Sequence, residues 1–458
     1  MNVDVLIVGA GPAGLAAATE LRRLAVGQVL VVDREQQPGG VPRHSAHTGY
    51  GLRDRHRVLT GPAYSRSYAD TAARAGAQIR AGTTVTGWAG NRCAILTSAA
   101  GIETVSARAV LLATGCRERP RPARLVPGDR PAGVMTTGEL QQRVYLHGER
   151  LPGRAVVVGA EHVSFSAMLT LAHAGADVVA LVTDLPRQQS YAGFALAALA
   201  RWRVPVWAST VVRRVEGRER LTAVELADVR TGAVRRIECD TLVFTGDWIP
   251  DHELARAAGI AIDPGTRGPA VDTGLETSVR NVFAAGNLVH AAETADVAAL
   301  GGIHAARHIA AALRADQGMA APPPDTAPPD TAPLDAPPAA RPPEARPLGG
   351  RPAAGAPGQR VPITVEPPLA WISPNAIRFP TPSDTGPMPA PTPPPRGRFL
   401  LRSQVFRQRA VLEVRQGNRV LARKRTRLIP GRPVHLDAGW LARLQPSDGP
   451  VLVALVRG

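Results

Sequence analysis

Residues 2–14 read Asn2-Val3-Asp4-Val5-Leu6-Ile7-Val8-Gly9-Ala10-Gly11-Pro12-Ala13-Gly14. Val3 to Val8 carry the apolar run of a buried strand, Gly9 to Gly14 follow as G-x-G-x-x-G, and helix formers extend from Leu15 to Leu24. A second apolar run, Val29 to Val32, ends in Asp33, an acid about 20 residues beyond the glycines. The spacing predicts one βαβ unit of the dinucleotide-binding kind. Gly9 permits the tight turn, Gly11 lets a pyrophosphate approach the backbone, and Gly14 lets helix and strand pack closely. The N–H groups and positive end of the helix then meet the phosphates, and Asp33 accepts hydrogen bonds from the adenosine ribose.

A second strand–turn–helix begins at Arg154 and reads A-V-V-V-G-A-E-H-V-S, with a following strand from Val178 to Val182. Gly159 occupies the first glycine position, but Glu161 and Ser164 replace the second and third. Glu161 places a side chain and a negative charge where a pyrophosphate would approach. The unit is therefore expected to keep the dinucleotide fold with a degenerate phosphate turn, and whether it binds NAD(P) stays open. His162 beside Glu161 does not make a metal site, which needs more ligands. Three further apolar runs end in glycine turns: Ala109 to Gly115 (A-V-L-L-A-T-G), Thr241 to Gly246 (T-L-V-F-T-G) and Asn281 to Asn287 (N-V-F-A-A-G-N). An apolar helix is expected from about Glu293 to Leu313.

The order of these five pieces, from about residue 3 to 313, resembles the flavoproteins with two dinucleotide domains, the pyridine nucleotide–disulfide oxidoreductase superfamily. The resemblance implies an α/β fold: an FAD-binding Rossmann-like domain over 1–120 and 250–317, with a second dinucleotide domain inserted over 121–249. It implies FAD as cofactor. Gly9, Gly11, Pro12, Ala13, Gly14, Asp33 and Arg34 would hold its ADP half, and Gly39 and Gly40 would border the pyrophosphate and the ring. Thr114 and Gly115 would close the flavin domain, and Gly286, Asn287, Thr294 and Ala295 would lie along the ribityl chain and ring. Asn287 stands where the family carries an aspartate; an amide still donates and accepts hydrogen bonds, with one charge removed. The helix starting near Thr294 would point its positive end at the flavin ring, with Glu293 as its capping acid.

Departures from the family narrow the reaction. The only cysteines are Cys93, Cys116 and Cys239, and no C-x-x-C occurs, so a disulfide reductase is not expected. The pattern is closer to the flavoprotein subunits of opine and amine oxidases and of the hydrogen cyanide synthase B type. After Gly40 the chain reads Val-Pro-Arg-His-Ser-Ala-His, which puts His44 and His47 where a general base would serve hydride or amine chemistry. Arg43, Arg53 and Arg55 are candidates for an anionic group.

Beyond residue 317 the composition changes. From Gly318 to about Gly358 the chain is mostly Pro, Ala, Asp and Arg, and is expected as an extended linker. From Val361 onward apolar alternation returns at strand spacing, with Gln416-Gly417-Asn418 as a hairpin turn, so residues 359–458 are expected to form a small, separable β module. Formal net charge is +16, and between Arg396 and Arg432 there are twelve basic residues and one acid, Glu413. That concentration suggests docking of a partner subunit or electron carrier with an acidic surface. Lys424 is the only lysine, and no aromatic-interleaved platform accompanies the arginines, so no nucleic acid is expected. The chain enters its first strand with no signal-like segment, and the apolar run from Val3 to Ala18 is too short and glycine-broken to span a bilayer; a cytoplasmic location is expected. Two functions remain at this stage. One is an FAD-dependent oxidoreductase taking a hydride from a small donor (amine, hydroxy acid or NAD(P)H). The other is an FAD-carrying subunit whose substrate site lies on another chain.

Overall fold

The computed structural model describes residues 1–90, 92–191, 203–291, 293–318, 359–380 and 389–456. The expected linker over 318–358 thus lies, apart from Gly318, outside the described residues. Contacts divide the chain into two units. One contains Met1–Arg43, Gly49–Cys116 and Pro250–Gly458; the other contains His44–Thr48 and Arg117–Ile249.

The first unit starts as the sequence dictates. Strand β1 (Asn2–Val8), helix α1 (Pro12–Arg23) and strand β2 (Val29–Val32) form a parallel βαβ, with Val5 opposite Val29 and Val8 opposite Val32. The unbroken valine and leucine runs reflect burial on both faces of a parallel sheet. Helix α2 (Gly61–Arg74) and strands β3 (Gln78–Arg80), β4 (Thr84–Gly90), β5 (Cys93–Ser98) and β6 (Gly101–Leu112) follow. The sheet runs β3-β2-β1-β6-β5-β4, antiparallel on its β6-β5-β4 side.

The second unit carries strands β7 (Val134–Thr136) and β8 (Gly153–Val158), helix α3 (His162–Ala174), and strands β9 (Ala176–Val182) and β10 (Val206–Trp207). An antiparallel set follows, β11 (Thr210–Glu216), β12 (Ala223–Asp228) and β13 (Val234–Glu238), and then β14 (Thr241–Phe244) returns to the parallel sheet, ordered β7-β14-β8-β9-β10. The chain re-enters the first unit as β15 (Val282–Ala284), parallel to the end of β6, and helix α4 (Ala295–Ala315). Gly302 of α4 lies so close to α1 that a Cβ there would sit 2.0 Å from the Ala13 carbonyl oxygen.

The C-terminal segment folds as an all-β module. Its strands are β16 (Arg360–Val365), β17 (Leu369–Ser373), β18 (Ala376–Arg378), β19 (Arg398–Ser403), β20 (Arg407–Gln416), β21 (Arg419–Leu428), β22 (Val434–Asp437) and β23 (Val451–Val456). They form sheets ordered β18-β16-β23-β20-β21 and β17-β19-β22, and the expected hairpin at Gly417 joins β20 to β21. Ile363, Phe399, Leu401, Leu412, Val414 and Val453 belong to a core of the module's own. What the sequence does not show is how firmly this module holds the flavin unit. Asp272 and Glu276, 1% and 4% exposed, meet Arg360 and Arg378 from the module: Arg360 lies 2.9 Å from Asp272 and 3.2 Å from Glu276, and Arg378 lies 2.8 Å from Glu276. Asn375 N donates to Val271 O at 2.9 Å, and Arg378 N donates to Thr273 Oγ1 at 3.0 Å. These contacts tie the module, with its own core, to the flavin unit.

Candidate functional site: an open and a filled phosphate turn

The first turn is built around absent side chains. Gly9 has φ +108° and Gly14 packs against it so closely that a Cβ on Gly14 would stand 1.9 Å from Gly9 O. Gly11 is different: a Cβ there meets nothing within 4 Å, so its surroundings are open. Gly11 is also the N-cap of α1 and offers no side chain to the first-turn amides, with Pro12 next, where a missing N–H costs nothing. A helix N-terminus without a capping side chain, over an open glycine, fits a pyrophosphate. Ala13 is buried behind it. Asp33 accepts from Ala10 N at 2.6 Å through Oδ2 and from Glu35 N at 2.9 Å through Oδ1, which fixes its carboxylate at the turn with lone pairs left for a ribose. Arg34 lies at the surface near Glu35.

The remaining candidates of this unit gather around that turn. A Cβ on Gly40 would be 2.9 Å from Gly11 Cα, and one on Gly39 2.6 Å from Ser65 Cβ, so the Gly-Gly segment presses against both. Thr114 Oγ1 donates to Asp251 O at 2.8 Å and Gly115 O accepts from Asp251 N at 3.0 Å, tying the end of the Ala-Thr-Gly element to the returning chain. Gly286, φ +71°, abuts Ala13. Asn287 uses its amide on the loop itself, accepting from Glu293 N at 3.0 Å and donating to Glu293 O at 3.1 Å, which leaves one lone pair and one N–H for a ligand. Thr294 is the N-cap of α4 and Ala295 its first residue. Glu293 does not cap α4 as expected. The first-turn acid is Asp296, which accepts from Val297 N at 2.9 Å and from Thr294 Oγ1, and pairs with Arg53 at 2.9 Å. Its negative charge answers part of the helix dipole expected to face the flavin.

The other arginine candidates are engaged: Arg43 pairs with Glu35 at 3.1 Å, and Arg55 lies 4.0 Å over the Tyr68 ring. His44 is 5% exposed. His47 has both ring nitrogens engaged, Nε2 with Ser45 Oγ at 3.0 Å and Nδ1 with Thr48 O at 2.8 Å. Both lie in the short segment that groups with the second unit. None of the three cysteines forms a disulfide, and burial pushes the Cys239 thiol up to about 12.

The second turn is the counterpart of the first and is filled. Glu161 is the N-cap of α3, and its carboxylate accepts from Ala160 N at 3.0 Å and from Thr245 Oγ1 at 2.8 Å. Ser164 Oγ sits 2.8 Å from Thr245 Oγ1 and accepts from Glu161 N at 3.3 Å. A Cβ on Gly159 would lie 1.9 Å from Thr245 Oγ1, and one on Gly246 2.2 Å from Glu161 Oε1. Arg124 donates to Thr245 O at 2.9 Å and Gly246 O at 2.8 Å. Glu118 accepts from Gly138 N at 2.8 Å and Gly246 N at 3.1 Å. Burial raises both carboxyls, and raises Glu118 to about 7 despite those hydrogen bonds.

Glu118 makes stability depend on pH. Its folded-state value lies above the ordinary 4.5, so the protonated acid favours folding. That contribution is complete below about pH 4.5, declines from there, and is lost once pH passes about 7, with an upper size on the order of 3 kcal/mol. The thermal midpoint of the wild type should therefore fall more steeply between about pH 4.5 and 7 than that of Glu118→Gln. Parallel curves would contradict it.

With this geometry in place, comparison with known proteins identifies the class. The pyridine nucleotide-disulphide oxidoreductase family matches residues 3–302, and the chain belongs to that family. FAD is the cofactor of this fold, and the chain is an FAD-dependent oxidoreductase. It is 35% identical over 172 residues to the A subunit of opine oxidase from Agrobacterium tumefaciens (34% of this chain, 32% of that one). It is 37% identical over 149 residues to hydrogen cyanide synthase subunit HcnB of Pseudomonas aeruginosa (31% and 30%). The match thus spans about a third of the length of each of these relatives. With a thioredoxin reductase of Treponema pallidum it shares 26% identity over 305 residues (63% of this chain, 89% of that one). The solved thioredoxin reductase of T. acidophilum superposes with a TM-score of 0.57 at 22% identity, over 69% of this chain and 99% of that one, a likeness of fold. Among the described residues no cluster of metal ligands occurs and no helix is long and apolar enough to cross a membrane.

Proposed function

We propose that this chain takes a hydride from a small organic donor, an amine or hydroxy acid, rather than from NAD(P)H, and that it is not a dithiol reductase. The observation that supports this reading is the contrast between the two turns. The carboxylate of Glu161 stands beside Gly246 and Thr245, at the helix start where a dinucleotide phosphate would need bare amides. That no C-x-x-C occurs in the sequence supports the second part of the reading. Bound FAD supplies the two-electron acceptor. The chain's residues supply the rest: Gly9, Gly11 and Gly14 admit the pyrophosphate, Asp33 takes the ribose hydroxyls, and Asn287 offers its remaining N–H and lone pair.

Anaerobic mixing tests the donor. NADH and NADPH at micromolar concentrations should leave the flavin absorbance unchanged, while an amine or hydroxy-acid donor bleaches it. Rapid bleaching by either nicotinamide would refute the reading. Glu161→Gly with Ser164→Gly should increase reduction by NAD(P)H, since both side chains that fill the turn are then gone.

A second reading, an FAD-carrying subunit that needs its partner for substrate, is supported by the names of the relatives, two of which are subunits. In the basic module Arg398, Arg415, Arg419, Arg423 and Lys424 pair with Asp437, Glu366, Asp448, Glu413 and Asp437. Arg407, Arg409, Arg425 and Arg427 take no part in these pairs and are the residues we propose for an acidic partner. The two readings separate on one observation: donors either bleach the isolated holoprotein or do so only after a partner chain is added.

A further inference from the structure

Asn287 and Glu293, before α4, are held together in a small arrangement fixed from two sides. From within, Asn287 closes it through its two hydrogen bonds to the Glu293 backbone. From the C-terminal module, Arg402 of β19 reaches the Glu293 carboxylate at 3.3 Å, with side chains 9% and 6% exposed. Arg402 is itself fixed: it donates to Gly431 O, and its guanidinium carbon lies 5.7 Å from the centre of the Trp371 ring, which stacks on His290 at 5.5 Å. An arginine and a carboxylate this deeply buried stabilise each other, since burial disfavours the charge on each. Without Arg402, burial favours a protonated or turned-out Glu293, and a shift of that residue carries the Glu293 N–H and carbonyl that orient Asn287 with it. The start of α4, at Thr294, is the next residue.

We propose that Arg402 is a positioning residue for the flavin: through Glu293 it sets Asn287 and the start of α4, so that the C-terminal module tunes how tightly FAD is held and at what potential it is reduced. The proposal rests on reading Gly286–Ala295 as part of the FAD site.

The test uses the full-length holoprotein and four variants: Arg402→Met, Arg402→Lys, Glu293→Gln and the double Arg402→Met/Glu293→Gln. FAD affinity is read from flavin fluorescence and the midpoint potential by equilibration with a reference dye. Arg402→Met should weaken FAD binding at least ten-fold and shift the potential, and Arg402→Lys should recover part of both. The double variant removes both charges of the pair, so it should regain thermal stability while its potential stays shifted; it also carries the test if Arg402→Met does not fold. Wild-type affinity and potential in Arg402→Met, or in the double variant, would overturn the proposal even if thermal stability falls. A wild-type chain that binds no FAD at all would instead overturn the site reading beneath it.

Discussion

Gly11→Val should give a folded protein without flavin. A Cβ at Gly11 meets nothing within 4 Å, and its φ of −80° suits any residue, so the fold has no objection to a side chain there. The pyrophosphate does, because the valine methyls take the space the phosphate needs against the α1 amides. The loss should exceed about 100-fold in FAD affinity, about 2.7 kcal/mol or more. The thermal midpoint and far-ultraviolet circular dichroism of the variant should match those of the wild-type apoprotein. Gly14→Val is the contrasting case. Its Cβ would stand 1.9 Å from Gly9 O, so β1 and α1 cannot pack, and both fold and flavin should be lost. A Gly11→Val protein that retains its yellow colour would show that the pyrophosphate lies elsewhere.

Arg378→Met should destabilise the chain by about 3–5 kcal/mol, the usual result of removing one partner from a buried ionic cluster. Arg378 and Arg360 balance Asp272 and Glu276, and both acids are almost fully enclosed. With Arg378 gone, one arginine faces two enclosed carboxyls, and burial, which already raises Asp272 against the pull of both arginines, raises it further. Removing Glu276 as well, in Arg378→Met/Glu276→Gln, should return much of the loss, and denaturant unfolding of the single and double variants measures the coupling. Equal stability of wild type and Arg378→Met would mean that the module rests on its own core alone.

What the sequence made legible was local. Gly9, Gly11, Gly14 and Asp33 could be read because a tight turn, a close approach and a ribose acid each demand one residue type at one offset, and the structure places all four at one turn. Glu161 was legible as an intruder for the same reason. Its partner Thr245 was not, since 84 residues separate them and nothing local marks a threonine as a lid for a carboxylate. The C-terminal pairs were hidden more deeply. Arg402 and Glu293 lie 109 residues apart, on opposite sides of the proline-rich stretch, and a chain this rich in arginine gives no sign of which ones are buried. Counting charge between Arg396 and Arg432 did not show which arginines are paired, because Glu366, Asp437, Asp448 and Glu293 come from outside that window. Glu293 was read as the capping acid of α4 from its place before the helix. Asp296, three residues on and inside the first turn, takes that role because its carboxylate can reach the Val297 amide.

We propose two dinucleotide folds in this chain and one dinucleotide site, with Glu161 filling the other turn. The number of dinucleotides bound per chain tests it most directly. Extraction of the purified protein should give one FAD per chain, and calorimetric titration of that holoprotein with NADH or NADPH should show no saturable binding in the micromolar range. A second dinucleotide bound per chain at micromolar affinity, abolished by a substitution at Gly159, would contradict it.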